Sequence, residues 1–84
     1  LNLGEVAVIP GLVNAHTHLE FSLLREPIPI SGRFTDWIRS VVSYRRAHPD
    51  IAAQAIRAGM QESLQAGTTL LGEIATTGWS AEAG

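Results

Sequence analysis

The stretch that decides the fold of this chain is IPGLVNAHTHLE, which occupies residues 9–20. Pro10 and Gly11 form a turn signal, and the residues after them predict a β-strand that ends near His18. In a strand, side chains two residues apart point to the same face, so His16 and His18 are expected to project together, about 6.6 Å apart at the backbone. Two convergent neutral imidazoles suit zinc, iron, nickel or manganese. On spacing alone, the alternative is a pair of histidines at a strand end that binds nothing.

The chain on either side of this stretch predicts one more strand, a loop and a first helix. Residues 6–9 form a short apolar run that predicts a strand before the Pro-Gly turn. Residues 20–33 hold two prolines and a Ser-Gly pair, which are typical of an ordered loop. Thr35 is predicted to cap a helix that ends at Pro49, because its hydroxyl can accept a bond from a free amide of the first turn.

The second half of the chain predicts another helix and a last strand. The helix follows Pro49 and ends at Gly67, which suits the positive φ of a helix C-terminus. Residues 68–74 are β-branched and apolar, as in a strand. A strand, a helical crossover and a second strand predict a right-handed parallel unit of an α/β fold. Parallel sheets are covered on both faces, and one such unit cannot cover itself.

Composition excludes several classes of protein. The 84 residues are 45% hydrophobic and 17% charged, which is the balance of a globular chain rather than a disordered one. Six arginines and no lysine face eight carboxylates, and the net charge of −2 argues against a nucleic-acid partner. The absence of cysteine excludes a disulfide scaffold and a thiolate metal site. No run is apolar enough to span a bilayer and no signal-peptide pattern opens the chain, so we expect a cytoplasmic protein with no membrane partner.

Residues 9–20 closely resemble the opening metal motif of the amidohydrolase superfamily. In that family the run leaves a small β-sandwich, turns at Pro-Gly and enters the first strand of a (β/α)₈ TIM barrel. Residues 66–69 resemble the entry into the second barrel strand, and residues 14–22 are most similar to the deaminase and chlorohydrolase branch. The resemblance implies that residues 1–10 end a β-sandwich strand and turn, and that residues 11–84 are the first β-α-α-β portion of an incomplete barrel.

The same resemblance implies a mononuclear divalent metal centre, with zinc as the first expectation. His16 and His18 would be two of its ligands, and two later histidines and an aspartate would complete it. The metal would acidify a bound water for hydrolytic deamination of a nucleoside- or heterocycle-like amine, a small-molecule substrate. We identify no general acid or base in the chain. The third histidine, His48, is expected to be exposed to solvent.

Other side chains are weaker candidates for substrate binding. Glu20 either contacts substrate or a ligand, or pairs with an arginine of the loop. Glu73 either points into the barrel mouth or is solvated or paired. Trp37 either walls a substrate pocket or belongs to the core. Arg45 and Arg46 are expected to be solvated on the outer helix.

The expected activity belongs to a longer protein than this chain. The sequence opens on Leu1, and a complete barrel runs to about 250 residues, so we expect an N-terminal fragment that is inactive alone. One alternative is a non-catalytic truncated fragment that self-associates through exposed strand edges. Another is a two-histidine metal-binding module that a partner completes.

Overall fold

A computed structural model describes residues 1–30 and 32–76 of the chain, and within them it is a mixed α/β unit. Six elements form in chain order: β1 (Leu12–Thr17), a 3₁₀ turn (Leu19–Phe21), α1 (Phe34–Ala47), a second 3₁₀ turn (Pro49–Ile51), α2 (Ala52–Gln65) and β2 (Thr68–Glu73). Neither helix of this described part has the length and apolar character needed to cross a bilayer. The final residues of the predicted barrel portion, 77–84, lie outside the described residues.

The two strands form a parallel pair, as the strand–helices–strand pattern predicts. The ladder runs from the Leu12–Thr68 pair to the Thr17–Glu73 pair. The hydrogen bond beyond its far end runs from the Ile74 amide to the Thr17 carbonyl oxygen, at 2.9 Å. Because the strands are parallel, both of their C-terminal ends lie at the same edge of the sheet.

The ladder is irregular beside the first histidine. Between the Asn14–Leu71 and Thr17–Glu73 pairs, β1 contains Ala15 and His16 where β2 contains only Gly72. The extra residue on β1 has the form of a β-bulge, a feature that re-aims side chains next to active sites. The two backbones are close together here, since a Cβ on Gly72 would lie 2.7 Å from the carbonyl carbon of Ala15.

The first helix begins one residue earlier than predicted and is capped differently. It starts at Phe34, and the side chain of Asp36 accepts a hydrogen bond from the Arg33 amide at 3.2 Å. The prediction that Thr35 caps the helix was therefore wrong. Asp36 lies in the first turn of the helix, and its carboxylate binds the free amide of the residue before the helix. Its negative charge also suits the positive end of the helix dipole.

The strand predicted over residues 6–9 does not form. In this part of the chain the Val6 amide donates to the Gly4 carbonyl oxygen in a local turn, and the Val8 side chain is 78% exposed. A strand requires a neighbour for its backbone hydrogen bonds, and no strand of residues 1–30 and 32–76 pairs with this segment. The assignment of residues 1–10 to a β-sandwich stays a prediction.

The core is small, and much of the sheet is uncovered. Leu19 and Ile56 are its centre, with the partly buried Met60 and Leu71 packed against them. Other apolar side chains of the sheet are more than half exposed, namely Leu12, Val13 and Leu70. The described unit therefore leaves apolar sheet surface in solvent, as expected for one β-α-α-β unit by itself.

Replacement of Gly67 should show how the end of α2 is made. Gly67 has a φ of 86° between α2 and β2, a conformation that costs an L-residue about 1–2 kcal/mol. We expect Gly67→Ala to lower the free energy of unfolding by about 1 kcal/mol in urea denaturation. Gly67→Asn is the matched control. Asparagine adopts this conformation more readily than alanine, so this variant should lose less stability. Equal stability of Gly67→Ala and the native chain would contradict the assignment.

Candidate metal centre

The structure brings His16 and His18 together at the C-terminal end of β1. His16 lies in the bulge with an exposed side chain, and its amide donates to Oδ1 of Asn14 at 3.2 Å. His18 is the first residue after the strand and is half-buried. The two ring centroids are 5.2 Å apart, and the ring planes are inclined at 76°.

The imidazoles fit a divalent metal by two criteria. Nδ1 of His18 is buried and has no hydrogen-bond partner among the described residues, although buried polar atoms almost always have one. Two imidazoles that share a tetrahedral zinc ion at about 2.1 Å hold their centroids roughly 5 Å apart, which agrees with the observed separation. Within residues 1–30 and 32–76, no third histidine, cysteine or carboxylate joins them in a metal-binding group. The described residues thus fit one part of a metal site.

Glu73 acts on the turn that follows the histidines. Glu73 is the last residue of β2 and lies at the same edge of the sheet as the histidines. Both of its carboxylate oxygens accept a hydrogen bond from the Leu19 amide, at 3.1 and 3.2 Å. Of the alternatives open for this residue, the structure shows pairing, with a backbone donor rather than a cation. The carboxylate fixes the backbone directly after His18.

Glu20 pairs with an arginine of α1. Its Oε1 lies 2.8 Å from Nε and 2.6 Å from Nη2 of Arg45 and accepts hydrogen bonds from the guanidinium. Its Oε2 accepts a hydrogen bond from the Thr76 hydroxyl at 3.0 Å. The Glu20 side chain is only 12% exposed. Of the two alternatives for Glu20, its contacts in the structure are those of an ion pair. The arginine partner lies on α1 and not in the loop.

Arg45 was predicted to be solvated, and that prediction was wrong. Its side chain is 30% exposed, and its guanidinium lies over the Phe21 ring, 5.1 Å from the centroid. The signal that could have identified it is its position four residues after the buried Val41, on the same face of α1. Its neighbour Arg46 is exposed, as expected.

Trp37 lines the same groove as His18. It is half-buried, stacks on Phe34 at 5.6 Å, and lines an apolar groove of about 520 Å³ that also includes His18. Phe34 itself is 71% exposed. Trp37 is thus neither fully buried nor fully exposed, and its role in substrate binding stays a prediction.

The third histidine differs from His18 because its ring has a hydrogen-bond partner. His48 follows α1, is exposed as predicted, and its Nδ1 lies 2.9 Å from the carbonyl oxygen of Tyr44. Its ring stacks on Tyr44, with centroids 4.4 Å apart. His48 is therefore a suitable reference for a histidine with a structural partner.

Comparisons with known proteins agree with the motif. The model of the Amidohydrolase family matches residues 7–81. A 5-methylthioadenosine/S-adenosylhomocysteine deaminase of Nitratidesulfovibrio vulgaris is 35% identical over an alignment of 79 residues that covers 88% of this chain and 17% of that protein. The deaminase of the same name from Haloarcula marismortui is 36% identical over 81 residues, 88% of this chain and 17% of its own length. An aminodeoxyfutalosine deaminase of Nitratiruptor sp. is 32% identical over 72 residues, 84% of this chain and 18% of its own length.

The chain spans less than a fifth of the length of these relatives. No solved structure matches it at a significant level. The family match covers nearly all of the chain and includes both histidines, the two strands and the two helices. This chain belongs to the amidohydrolase family.

Proposed function

We propose that this chain is the N-terminal portion of the barrel of a metal-dependent deaminase, and that His16 and His18 supply two of the metal ligands. The observation that carries the proposal is the pair of imidazoles at the C-terminal edge of a parallel sheet, with Nδ1 of His18 buried and unpartnered among the described residues. Enzymes built on (β/α)₈ barrels place their catalytic groups at this end of the strands. Zinc is the metal that we propose first, since neutral imidazoles are among its preferred ligands.

The barrel itself is supported by the sheet. The β1–β2 pair is parallel and its connection is helical, as in such barrels, although two helices stand here where the barrel repeat has one. The exposed side chains of Leu12, Val13 and Leu70 are the surface that further strands and helices would cover. The relatives are each more than five times as long as the matched segment, which leaves room for the other strands.

The proposed reaction replaces an amino group on a heterocyclic carbon by oxygen, with water consumed and ammonia released. A divalent metal, when bound, supplies a water that is activated at neutral pH. His16 and His18 act as neutral nitrogen donors, and Glu73 holds the turn next to them through the Leu19 amide. The groove beside His18, with Trp37 in its wall, can receive a flat ring and exclude water from one side of it.

The substrate class is proposed from the relatives. Three of them are named as deaminases of adenosine-type compounds or of aminodeoxyfutalosine. We therefore propose a nucleoside- or heterocycle-like amine as the substrate, a small molecule. A non-catalytic, self-associating fragment is the second candidate, and the uncovered apolar sheet surface favours it.

A chimera tests this proposal. The matching 79 residues of the Nitratidesulfovibrio vulgaris deaminase would be replaced by this chain, and ammonia release from 5-methylthioadenosine would be measured beside zinc content and circular dichroism. We expect a folded chimera that holds zinc and releases ammonia, while the 84-residue chain alone releases none. The same exchange in the Haloarcula marismortui relative provides a second host.

The outcomes of the exchange separate the parts of the proposal. A folded chimera without zinc would contradict the ligand assignment. A folded, zinc-loaded chimera that releases no ammonia from any adenosine-type amine would contradict the deaminase assignment. Self-association of the isolated chain in analytical ultracentrifugation, together with inactive chimeras, would support the second candidate.

A further inference from the structure

We propose that the Glu20–Arg45 ion pair, anchored by Thr76, is a positioning clamp that sets the orientation of the His18 ring. Glu20 and Arg45 are then positioning residues, since neither is assigned as a ligand. The inference rests on the proposed metal centre for its functional consequence, although the orientation of the ring can be measured without metal.

The clamp joins three parts of the chain through one carboxylate. Glu20 lies in the 3₁₀ turn after β1, Arg45 lies in the last turn of α1, and Thr76 follows β2. Both carboxylate oxygens are used, by the arginine at 2.6 and 2.8 Å and by the threonine hydroxyl at 3.0 Å. With side chains only 12% and 30% exposed, this pair is shielded from solvent and fixed at both ends, unlike a mobile pair on the surface.

The clamp reaches His18 through the neighbouring aromatic ring. The Arg45 guanidinium lies 5.1 Å from the Phe21 centroid, and the Phe21 ring lies 6.1 Å from the His18 ring. A cation over a ring face and two rings at this separation attract each other. Arg45 therefore holds both the carboxylate of Glu20 and the ring that packs beside the histidine.

His18 needs such packing because hydrogen bonding does not orient it. Metal-binding histidines usually donate their second ring nitrogen to a carboxylate or carbonyl group, which fixes the ring. In His18, the buried Nδ1 is the nitrogen left for the metal, and no hydrogen bond between the other ring nitrogen and residues 1–30 and 32–76 fixes the ring. Glu73, the other carboxylate at this edge, is engaged with the Leu19 amide. The rotation of the ring is thus left to its contacts with Phe21 and to the shape of the turn that the clamp holds.

The first readout is the orientation of His18 in the metal-free chain. Nuclear Overhauser effects between the His18 and Phe21 rings would be compared in the native chain and in Glu20→Gln, Arg45→Gln and Arg45→Lys. We expect these effects to be lost or strongly reduced in the two glutamine variants and partly kept in Arg45→Lys, which retains a cation. Arg46→Gln is the matched control, because Arg46 is the exposed neighbour on the same helix, and it should leave them unchanged.

The second readout is the affinity for Zn²⁺, measured by calorimetry. The visible spectrum of bound Co²⁺ would report the coordination geometry of the metal. Loss of a group that orients a ligand typically weakens metal binding about 10–100-fold, and we expect this for Glu20→Gln and Arg45→Gln. The double variant should lose no more than either single one, because both changes break the same contact. Urea denaturation of each variant would separate this effect from a loss of stability.

The two readouts keep failure of the clamp apart from failure of the metal centre. Unchanged effects between the His18 and Phe21 rings in both glutamine variants would overturn the clamp, whatever the metal does. Lowered stability with Zn²⁺ affinity within twofold of native would show that the ion pair supports the fold and does not position the ligand. Zn²⁺ binding that survives in His16→Ala/His18→Ala would overturn the proposed metal centre, while the ring contacts would still test the clamp.

Discussion

Replacement of both His16 and His18 by alanine is expected to abolish zinc binding by this chain and deaminase activity in the chimera. The two imidazoles are the nitrogen donors that converge at the C-terminal edge of the sheet. The described residues hold no group of three or more metal-binding side chains, so they offer an ion no complete site elsewhere. Zinc content after equilibrium dialysis, measured by elemental analysis on chain purified without added metal, checks this result.

The third histidine provides the control for this experiment. His48→Ala removes an imidazole that already has the Tyr44 carbonyl group as its partner, and it should leave zinc content unchanged. Equal zinc in the double variant and the native chain would contradict the ligand assignment. If neither the native chain nor the double variant holds zinc, the histidine pair binds zinc only where further ligands are present. The same double substitution in the chimera then tests the ligand assignment.

Gly72→Ala is expected to be the most disruptive single methyl addition in the sheet. The new Cβ would lie 2.7 Å from the carbonyl carbon and 3.2 Å from the Cα of Ala15, and a backbone cannot rotate away as a side chain can. Forced overpacking of this kind costs about 1–3 kcal/mol of the free energy of unfolding, measured by urea denaturation. The bulge that aims His16 would move as well, so we expect zinc affinity to fall with stability.

A substitution in the same strand separates this clash from a general weakness of β2. Leu70→Ala removes a side chain that is 61% exposed, and it should cost much less. If Gly72→Ala unfolds at the same urea concentration as the native chain, the close approach of the two strands would be wrong.

Much of the fold follows from local patterns in the sequence. The apolar run after Pro10 and Gly11 and the β-branched run after Gly67 became β1 and β2, and their helical connection predicted the parallel pairing. Residues 6–9 have the same apolar character but form no strand. A pattern shows that a segment suits a sheet, but strand formation also requires a neighbour to complete the backbone hydrogen bonds.

The placement of the two histidines of the candidate site was predictable from the sequence, and the contacts around them were not. The spacing of His16 and His18 places them together in any strand, whereas the bulge at Ala15 and His16 depends on the register with β2. Arg45 was misjudged because a charge on a helix is usually solvated, and its partner Glu20 lies 25 residues away along the chain. Contacts of this kind come from tertiary packing, which no local window of sequence contains.

The bond between Glu73 and the Leu19 amide has a consequence for the order of folding. Its two residues are 54 positions apart, so the intervening chain must lose the entropy of a long loop before the bond can form. The contacts within α1 and α2 are local and form early, whereas parallel pairing of distant strands is slow. The two histidines precede the second strand in the chain, and the turn after them closes only when that strand has paired. The histidine pair is therefore among the last features of this unit to acquire its final shape.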